Sequence, residues 1–585
     1  MKMHKNRYHK EQWAALCHLD GPALVIAGPG SGKTTTLLGR ISFLIQEKHI
    51  PPSQLLVITY TKEAAASMQK RFLTENPEGA SVTFGTFHAI FYHILKTEYS
   101  LQTDCLLSTQ EKKSYLLPIL KKYEVDIRLA EEMLYFITMR KNGEKTAEKL
   151  SLSVEEETKE AVFREYVAVT RKNGRIDFED MLLLTRKLFR EREDILEKWR
   201  VIQMLRSGNI FRLVFRYILV DEFQDTNRIQ YELLRMLAAP DNHIFAVGDD
   251  DQSIYGFRGA TPAILKRFLT DYPAAETYYL QNNYRSGKKI VRLAGRIISE
   301  NKDRFLKKPA AMKEDTGDIR IKAFTEVTEE YRYFAIRIRN LKEENNNLGF
   351  EDFAILCRTN REAENVRAVL GKENIPCACR KGKEKTEEGK EDVLAYLRLS
   401  EGKGSRADFL RIMNKPDRGL SRVCIPEEEV DFIRMERWCL ELKDEAGAGK
   451  IRTLRKQLQT LRKMPEELKI SYIQKGIGYE RYMGKKPPDT AKDGVQVLTM
   501  HAAKGLEFYY VGIPNVQEGR IPYGKMLSGE QEEEERRLFY VAVTRAKKIL
   551  DILYLKGTKE RPGLLSRFLR NEGYSSEGST SSSNS

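Results

Sequence analysis

Residues 24–38 read LVIAGPGSGKTTTLL, an apolar run that breaks into three closely spaced glycines, a lysine and threonines. Gly28, Gly30 and Gly32 let the backbone curl so that successive N–H groups face one anion. The helix start that follows adds its positive dipole end. In that setting Lys33 reaches the β- and γ-phosphates of a nucleotide and the Thr34 hydroxyl ligates Mg²⁺. Ala27, Gly28, Pro29, Gly30, Ser31, Gly32, Lys33 and Thr34 are therefore the expected phosphate-binding loop, with Ala27 where the usual pattern has Gly. A second chemical pair, Asp221-Glu222, closes an apolar stretch at 217–220. One such carboxylate can hold Mg²⁺ while its neighbour orients and deprotonates water.

These groups need elements that bring them together. The run 24–26 has the length and branching of a buried strand, and Leu37, Leu38, Ile41, Leu44 and Ile45 then fall on one helical face. The stretch 55–61 is a strand ending in hydroxyls, followed by an Ala-rich helix. The stretch 82–88 repeats the plan, and 217–220 and 244–249 are further strands. Strands alternating with helices predict a parallel sheet with ligands at the carboxyl ends of its strands. Residues 90–170 are helical, charged and poor in strands, which suits an inserted subdomain. A second α/β region has strands at 319–324, 352–357 and 495–500 and is interrupted over 401–490 by a charged helical stretch.

The expected division is 1–89 with 171–281, an insertion at 90–170, then 282–400 with 491–572, a short insertion at 401–490, and a disordered Ser-rich tail at 573–585. The acidic run 532–535 and the mixed run 381–391 read as solvated faces. Spacing alone makes Gln12 a solvated helix residue. The chain of 585 residues carries a net charge of +15, with a pI near 9.2, which favours a polyanionic partner. Seven scattered cysteines read as reduced thiols, and Cys377 and Cys379 have no second pair nearby to make a metal site. No stretch approaches the roughly 20 apolar residues of a membrane span, and the N-terminus lacks a signal-peptide core, so a cytoplasmic protein is expected.

The motifs AGPGSGKT at Ala27, GTFH at Gly85, DEFQDTN at Asp221, GDDDQSIYGFRG at Gly248, NYRS at Asn283, TMHAAKGLEF at Thr499 and EEERRLFYVAVTRAKK at Glu533 follow in this order. In this the chain resembles superfamily 1 helicases of the UvrD/Rep/PcrA group over nearly its whole length. The resemblance implies an α/β fold of two RecA-like P-loop motor domains with parallel sheets, each split by a mainly helical insertion. It places ATP between the domains and single-stranded DNA across both.

By the same resemblance Gln12 contacts adenine and Tyr284 stacks on it, Asp221 helps Thr34 hold Mg²⁺, and Glu222 is the general base. Gln252 senses the γ-phosphate, Arg285 and Arg545 neutralise its developing charge, and Glu507 touches the ribose. Tyr60 and Phe257 hold the base-stacking positions, and Thr86, His88 and His501 are set to contact the DNA backbone. The family usually has Phe at Tyr60, Trp at Phe257 and Asn-Lys at Lys62-Glu63, and both insertions are short for the group.

The implied activity is an ATP-driven helicase that moves 3′ to 5′ on single-stranded DNA and opens duplex at single-strand/double-strand junctions, in repair or replication. The alternatives are a translocase that strips proteins with little unwinding, the motor half of a helicase–nuclease, or a non-hydrolysing DNA clamp. The intact Lys33, Asp221, Glu222 and Arg545 set argues against the clamp. No clustered acidic nuclease motif is seen, so a nuclease would have to be a partner.

Overall fold

The computed structural model describes residues 5–99, 105–143, 154–200, 215–256, 262–378, 385–416, 418–420, 430–442, 444–479, 494–524, 527–557 and 563–570. Six strands form the first sheet: β1 (Ala23–Ala27), β2 (Leu55–Thr59), β3 (Thr83–Thr86), β4 (Tyr217–Val220), β5 (Ile244–Gly248) and β6 (Glu276–Leu280). Their order is β3-β2-β4-β5-β1-β6, and every neighbouring pair is parallel. β1, β2, β4 and β5 are buried at every position, as strands covered on both faces must be. Alternate residues feed opposite cores. Leu24 and Ile26 pack with Phe91, Leu188 and Leu233, whereas Val25 and Ala27 pack with Leu37 and Ile41. Each fully buried Leu or Ile contributes roughly 1.5–3 kcal/mol, so these two layers fix where the loops at the strand ends can lie.

A two-residue ladder, β7 (Asn282–Asn283) with β8 (Ala310–Ala311), links this unit to the second sheet. That sheet comprises β9 (Asp318–Phe324), β10 (Phe353–Cys357), β11 (Gln496–Thr499), β12 (Phe508–Ile513) and β13 (Ala546–Leu555). Its order is β11-β10-β12-β13-β9, again parallel throughout.

Both insertions leave and rejoin the rest of the fold at one point, the first at 105–107 and 176 rather than at 90 and 170, because Ile90, Phe91, Ile94 and Leu95 of helix Phe87–Tyr99 pack in the core of the first sheet. Leu107 N donates to Ile176 O (2.8 Å) and Ile176 N to Cys105 O (2.9 Å), at the base of helices Thr109–Lys122, Ala130–Lys141 and Glu156–Lys172. These helices share a core of Leu116, Leu120, Met133, Phe136, Val162 and Tyr166. Ala378 N donates to Val495 O (2.9 Å) and Val495 N to Pro376 O (2.8 Å) at the base of the second insertion. Its core includes Tyr396, Phe409, Met435, Leu454 and Leu461.

Helix Lys385–Ser400, grouped above with the second sheet, buries Ala395, Tyr396 and Leu399 in that same core. The sequence division near 400 follows a change in charge, whereas packing follows the apolar stripe on the preceding helix. Residues 381–384 of the mixed run and the tail 573–585 lie outside the described residues. Among the described residues no helix is long and apolar enough to cross a membrane.

Candidate active site at the cleft between the sheets

The loops after β1, β2, β4 and β5 meet residues of the second unit in a cleft of about 550 Å³. The glycine loop turns through left-handed conformations at Gly30 (φ +70°) and Gly32 (φ +81°), which glycine adopts without cost. Ser31 Oγ donates to Gly28 O (2.8 Å), closing the curl. Gln12 is buried rather than solvated: its Nε2 donates to Ser31 O (3.0 Å) while its Oε1 accepts from His9 N (3.1 Å). One amide therefore ties the N-terminal helix to the loop, a contact that spacing could not reveal.

The NYRS segment grips the same loop. Asn283 Nδ2 donates to Pro29 O (2.8 Å) and Tyr284 N to Gly30 O (2.8 Å). Lys33 Nζ donates to Ala27 O (3.2 Å) and Gly28 O (3.3 Å). Burial lowers its pKa against the pull of Glu222, Asp249 and Asp221.

β4 delivers Asp221 and Glu222 between the loops of β2 and β5, as the apolar stretch before them predicts. Glu222 sits in the left-handed region (φ +51°, ψ +44°), a strained position for a side-chain-bearing residue and a recurrent feature of working sites. Burial, and then the neighbouring Glu222, push Asp221 up to about 7. Burial also acts upward on Glu222, but Lys504 and Lys33 outweigh it and hold that carboxylate below its usual range. The Gln224 amide donates to Glu222, and Gln224 Oε1 accepts from Asp249 N (2.9 Å), joining the ends of β4 and β5. The pair thus splits into Asp221, whose ionisation is opposed by burial and by Glu222, and Glu222, held ionised beside Lys504 and Lys33; a cation bound at Asp221 would favour its ionised form.

The opposite wall is cationic. Arg545 is buried, and its Nη2 donates to Gln252 Oε1 (3.2 Å) while Nε donates to Val541 O (2.8 Å). Burial, with Arg285 nearby, lowers its pKa to about 9. Arg285 Nε donates to Glu507 Oε2 (2.7 Å) and Nη1 to Thr544 O (3.2 Å). Although burial works against ionisation, Arg285 and Lys547 lower Glu507 to about 2.

Lys504 was not singled out above, although TMHAAKGLEF contains it. Its Nζ lies 2.5 Å from Asp225 Oδ2, 2.8 Å from Gln252 O and 3.9 Å from Glu222 Oε2, so it reaches across to three parts of the first unit. A lysine in a motif shared with two other candidates, His501 and Glu507, was the available signal.

Thr34, Tyr60, Tyr284 and Glu507 line the same cleft. Tyr60 stacks on Tyr255 (centroids 4.7 Å apart, 15° between planes), and Lys504 Nζ lies 5.1 Å from the centre of the Tyr255 ring. Thr86 accepts from Ala89 N (3.2 Å) and so ends β3 as the cap of the following helix. His88 meets Phe178 edge-on (5.3 Å), and His501 opens the turn after β11. Phe257 lies outside the described residues.

The acidic run 532–535 is not simply a solvated face. Glu534 Oε1 accepts from Gly256 N (3.1 Å), Glu535 pairs with Arg358 (2.6 Å), and Glu533 accepts from Lys302 N (3.0 Å). Its helix, Gly529–Val543, stands against the loop after β5, so these carboxylates meet donors that lie far away in sequence.

The UvrD/REP helicase N-terminal domain matches residues 8–273, and the UvrD-like helicase C-terminal domain matches 278–477 and 443–557. ATP-dependent DNA helicase PcrA of Staphylococcus aureus is 29% identical over 97% of this chain and 86% of its own length. The PcrA of Staphylococcus epidermidis is 29% identical over 93% and 83%. YjcD of Bacillus subtilis is 29% identical over 96% and 80%.

Proposed function

The chain belongs to the UvrD/PcrA family of ATP-dependent DNA helicases, and from that premise we propose that it steps 3′ to 5′ on single-stranded DNA and separates duplex ahead of it, in cytoplasmic DNA repair or replication. The observation that carries the reading is the composite cleft: Lys33, Glu222 and Gln252 come from the first unit, while Arg285, Lys504 and Arg545 come from the second. A centre built this way is complete only when the two units are together, so each hydrolysis event is tied to their relative motion.

In this reading the loop N–H groups and Lys33 hold the phosphates, with Gln12 and Tyr284 at the adenine and Glu507 at the ribose. Glu222 accepts the proton of the attacking water. Gln252 senses the γ-phosphate, and Arg285 and Arg545 stabilise the charge that develops as the bond to it breaks. A divalent cation fits: Asp221 is buried, and its Oδ1 has no hydrogen-bond partner among the described residues. Thr34 and Asp221 would hold Mg²⁺, which when bound offsets phosphate charge.

On the DNA side Tyr60 and Phe257 supply stacking faces, worth roughly 1–3 kcal/mol per base, and Thr86, His88 and His501 face the backbone. Junctions of single- and double-stranded DNA are the substrate, with repair or nuclease proteins as partners.

Strand displacement on 3′-tailed, 5′-tailed and blunt duplexes tests this. ATP-dependent opening of the 3′-tailed substrate alone is expected. Preference for a 5′ tail would reverse the polarity. DNA-stimulated hydrolysis with no opening of any substrate would leave a translocase that needs a partner to unwind.

A further inference from the structure

The loop after β5 carries three consecutive buried carboxylates, Asp249, Asp250 and Asp251, with oxygens within 4.8 Å of one another. Such a cluster would suit a divalent cation, but an ammonium group fills it. Lys307 Nζ lies 2.5 Å from Asp249 Oδ1 and 2.8 Å from Asp251 Oδ2, and it also pairs with Asp250. Arg304 makes a two-pronged bond to Asp251 (2.9 and 2.6 Å), and Phe305 N donates to Asp250 Oδ2 (2.7 Å). The Lys307 side chain is buried. Burial works against its charge, but the three carboxylates outweigh that and raise its pKa.

The other oxygen of Asp249 holds Gln252, which lines the nucleotide cleft. Asp249 Oδ2 accepts from Gln252 Nε2 (2.6 Å), and Gln252 Oε1 accepts from Arg545 Nη2 (3.2 Å). The two ends of the Gln252 amide are therefore fixed by different units. One is held by Arg545, and the other by an aspartate whose remaining oxygen is held by Lys307.

We propose that Lys307 is a positioning residue for ATP hydrolysis, holding Asp249 so that Asp249 orients the Gln252 amide toward the nucleotide and Arg545. This rests on the reading of Gln252 as the γ-phosphate sensor. Without Lys307, Asp249 is a buried charge that has lost its closest cation, and turning or neutralising it releases Gln252 Nε2. No part of Lys307 needs to touch the nucleotide.

Steady-state hydrolysis at saturating single-stranded DNA tests the proposal in Asp250→Asn, Lys307→Met/Asp250→Asn, Lys307→Arg and Gln252→Ala, with ADP affinity and thermal melting measured beside it. The paired variant removes one positive and one negative charge together, so the cluster keeps its net charge and Asp251 keeps Arg304. Relative to Asp250→Asn, its kcat is expected to fall about tenfold or more, with KM for ATP and ADP affinity within about threefold, because orientation is lost and binding is not.

A kcat within about twofold of Asp250→Asn overturns the inference. A Gln252→Ala protein with unchanged kcat overturns the sensor reading and the inference with it, whereas loss in Gln252→Ala alone sinks only the role of Lys307. If the paired variant does not fold, Lys307→Arg decides, since it keeps the charge and shifts the donors. Its kcat should fall about threefold or more at unchanged ADP affinity, and a wild-type kcat contradicts the proposal.

Discussion

Gly30→Ala adds one methyl at the point where the two units meet. The backbone there is left-handed, φ +70°, and an added Cβ would lie 2.6 Å from Arg285 Cβ and 3.0 Å from Asn283 Oδ1. Holding an alanine in that conformation costs about 1–2 kcal/mol. Neither neighbour can yield freely: Asn283 also accepts from Arg285 N and Ser286 N (both 2.9 Å), and Arg285 is tied to Glu507. Overpacking of such a site adds about 1–3 kcal/mol, for a total of about 2–5 kcal/mol. Gly28→Ala is the internal control, because its Cβ would meet nothing within 4 Å and its φ is not positive. Calorimetric melting of nucleotide-free protein should show Gly30→Ala lowered by about 4 °C or more and Gly28→Ala close to wild type. Equal melting of Gly30→Ala and wild type would refute the view that the loop is clamped by the second unit.

Three further outcomes are expected. Glu222→Gln keeps the shape of the side chain but removes the proton acceptor, so ATP should still bind while turnover falls by about a hundredfold or more; near-normal turnover would remove Glu222 as the base. Lys504→Met should reduce DNA-stimulated hydrolysis more than ADP affinity, because Lys504 bridges Asp225 and the Gln252 carbonyl from the second unit; an equal loss in both would make it a binding residue. Glu330→Gln should change the pH profile of stability. Burial raises Glu330 to about 8, and its Oε2 has no hydrogen-bond partner among the described residues. The folded state therefore keeps a proton that the unfolded chain releases near pH 4.3, and wild-type stability falls as pH rises from there to about 8. Gln keeps the acceptor for Asn515 N (2.7 Å) and removes that dependence. Melting followed from pH 5 to 9 should show the variant gaining on wild type as pH rises, and a constant gap would contradict the assignment.

The first sheet was largely legible because its central strands are buried on both faces and therefore read as unbroken apolar runs ending in chemistry. β6 was not, since Glu276, Thr277 and Tyr279 are exposed on an edge strand and break the apolar pattern. β13 carries Lys547, Lys548 and Asp551 within its length; Asp551 is buried and paired with the hydroxyls of Tyr333 and Tyr510 (3.0 and 3.1 Å), partners invisible locally. The glycine loop and the Asp221-Glu222 pair were legible as candidates because their chemistry demands fixed local spacing, whereas Arg545 came only with the family resemblance. Gln12, Lys307 and the acidic run were not, because each takes its meaning from a residue that the fold alone brings near. Asp249 to Asp251 illustrate the limit: the sequence shows three carboxylates, and only the strap carrying Arg304 and Lys307 shows that they are already paired with cations.

In the proposed reading the second unit completes the catalytic centre of the first. ATP hydrolysis by wild type and Arg545→Ala, titrated with single-stranded DNA and paired with DNA-binding isotherms, tests it most directly. Removing a charge-stabilising arginine that reaches across a cleft typically costs about 10³-fold or more in rate. Arg545→Ala should bind single-stranded DNA with near wild-type affinity and show no DNA-stimulated hydrolysis. Hydrolysis that DNA still stimulates in Arg545→Ala to near the wild-type level would contradict the account.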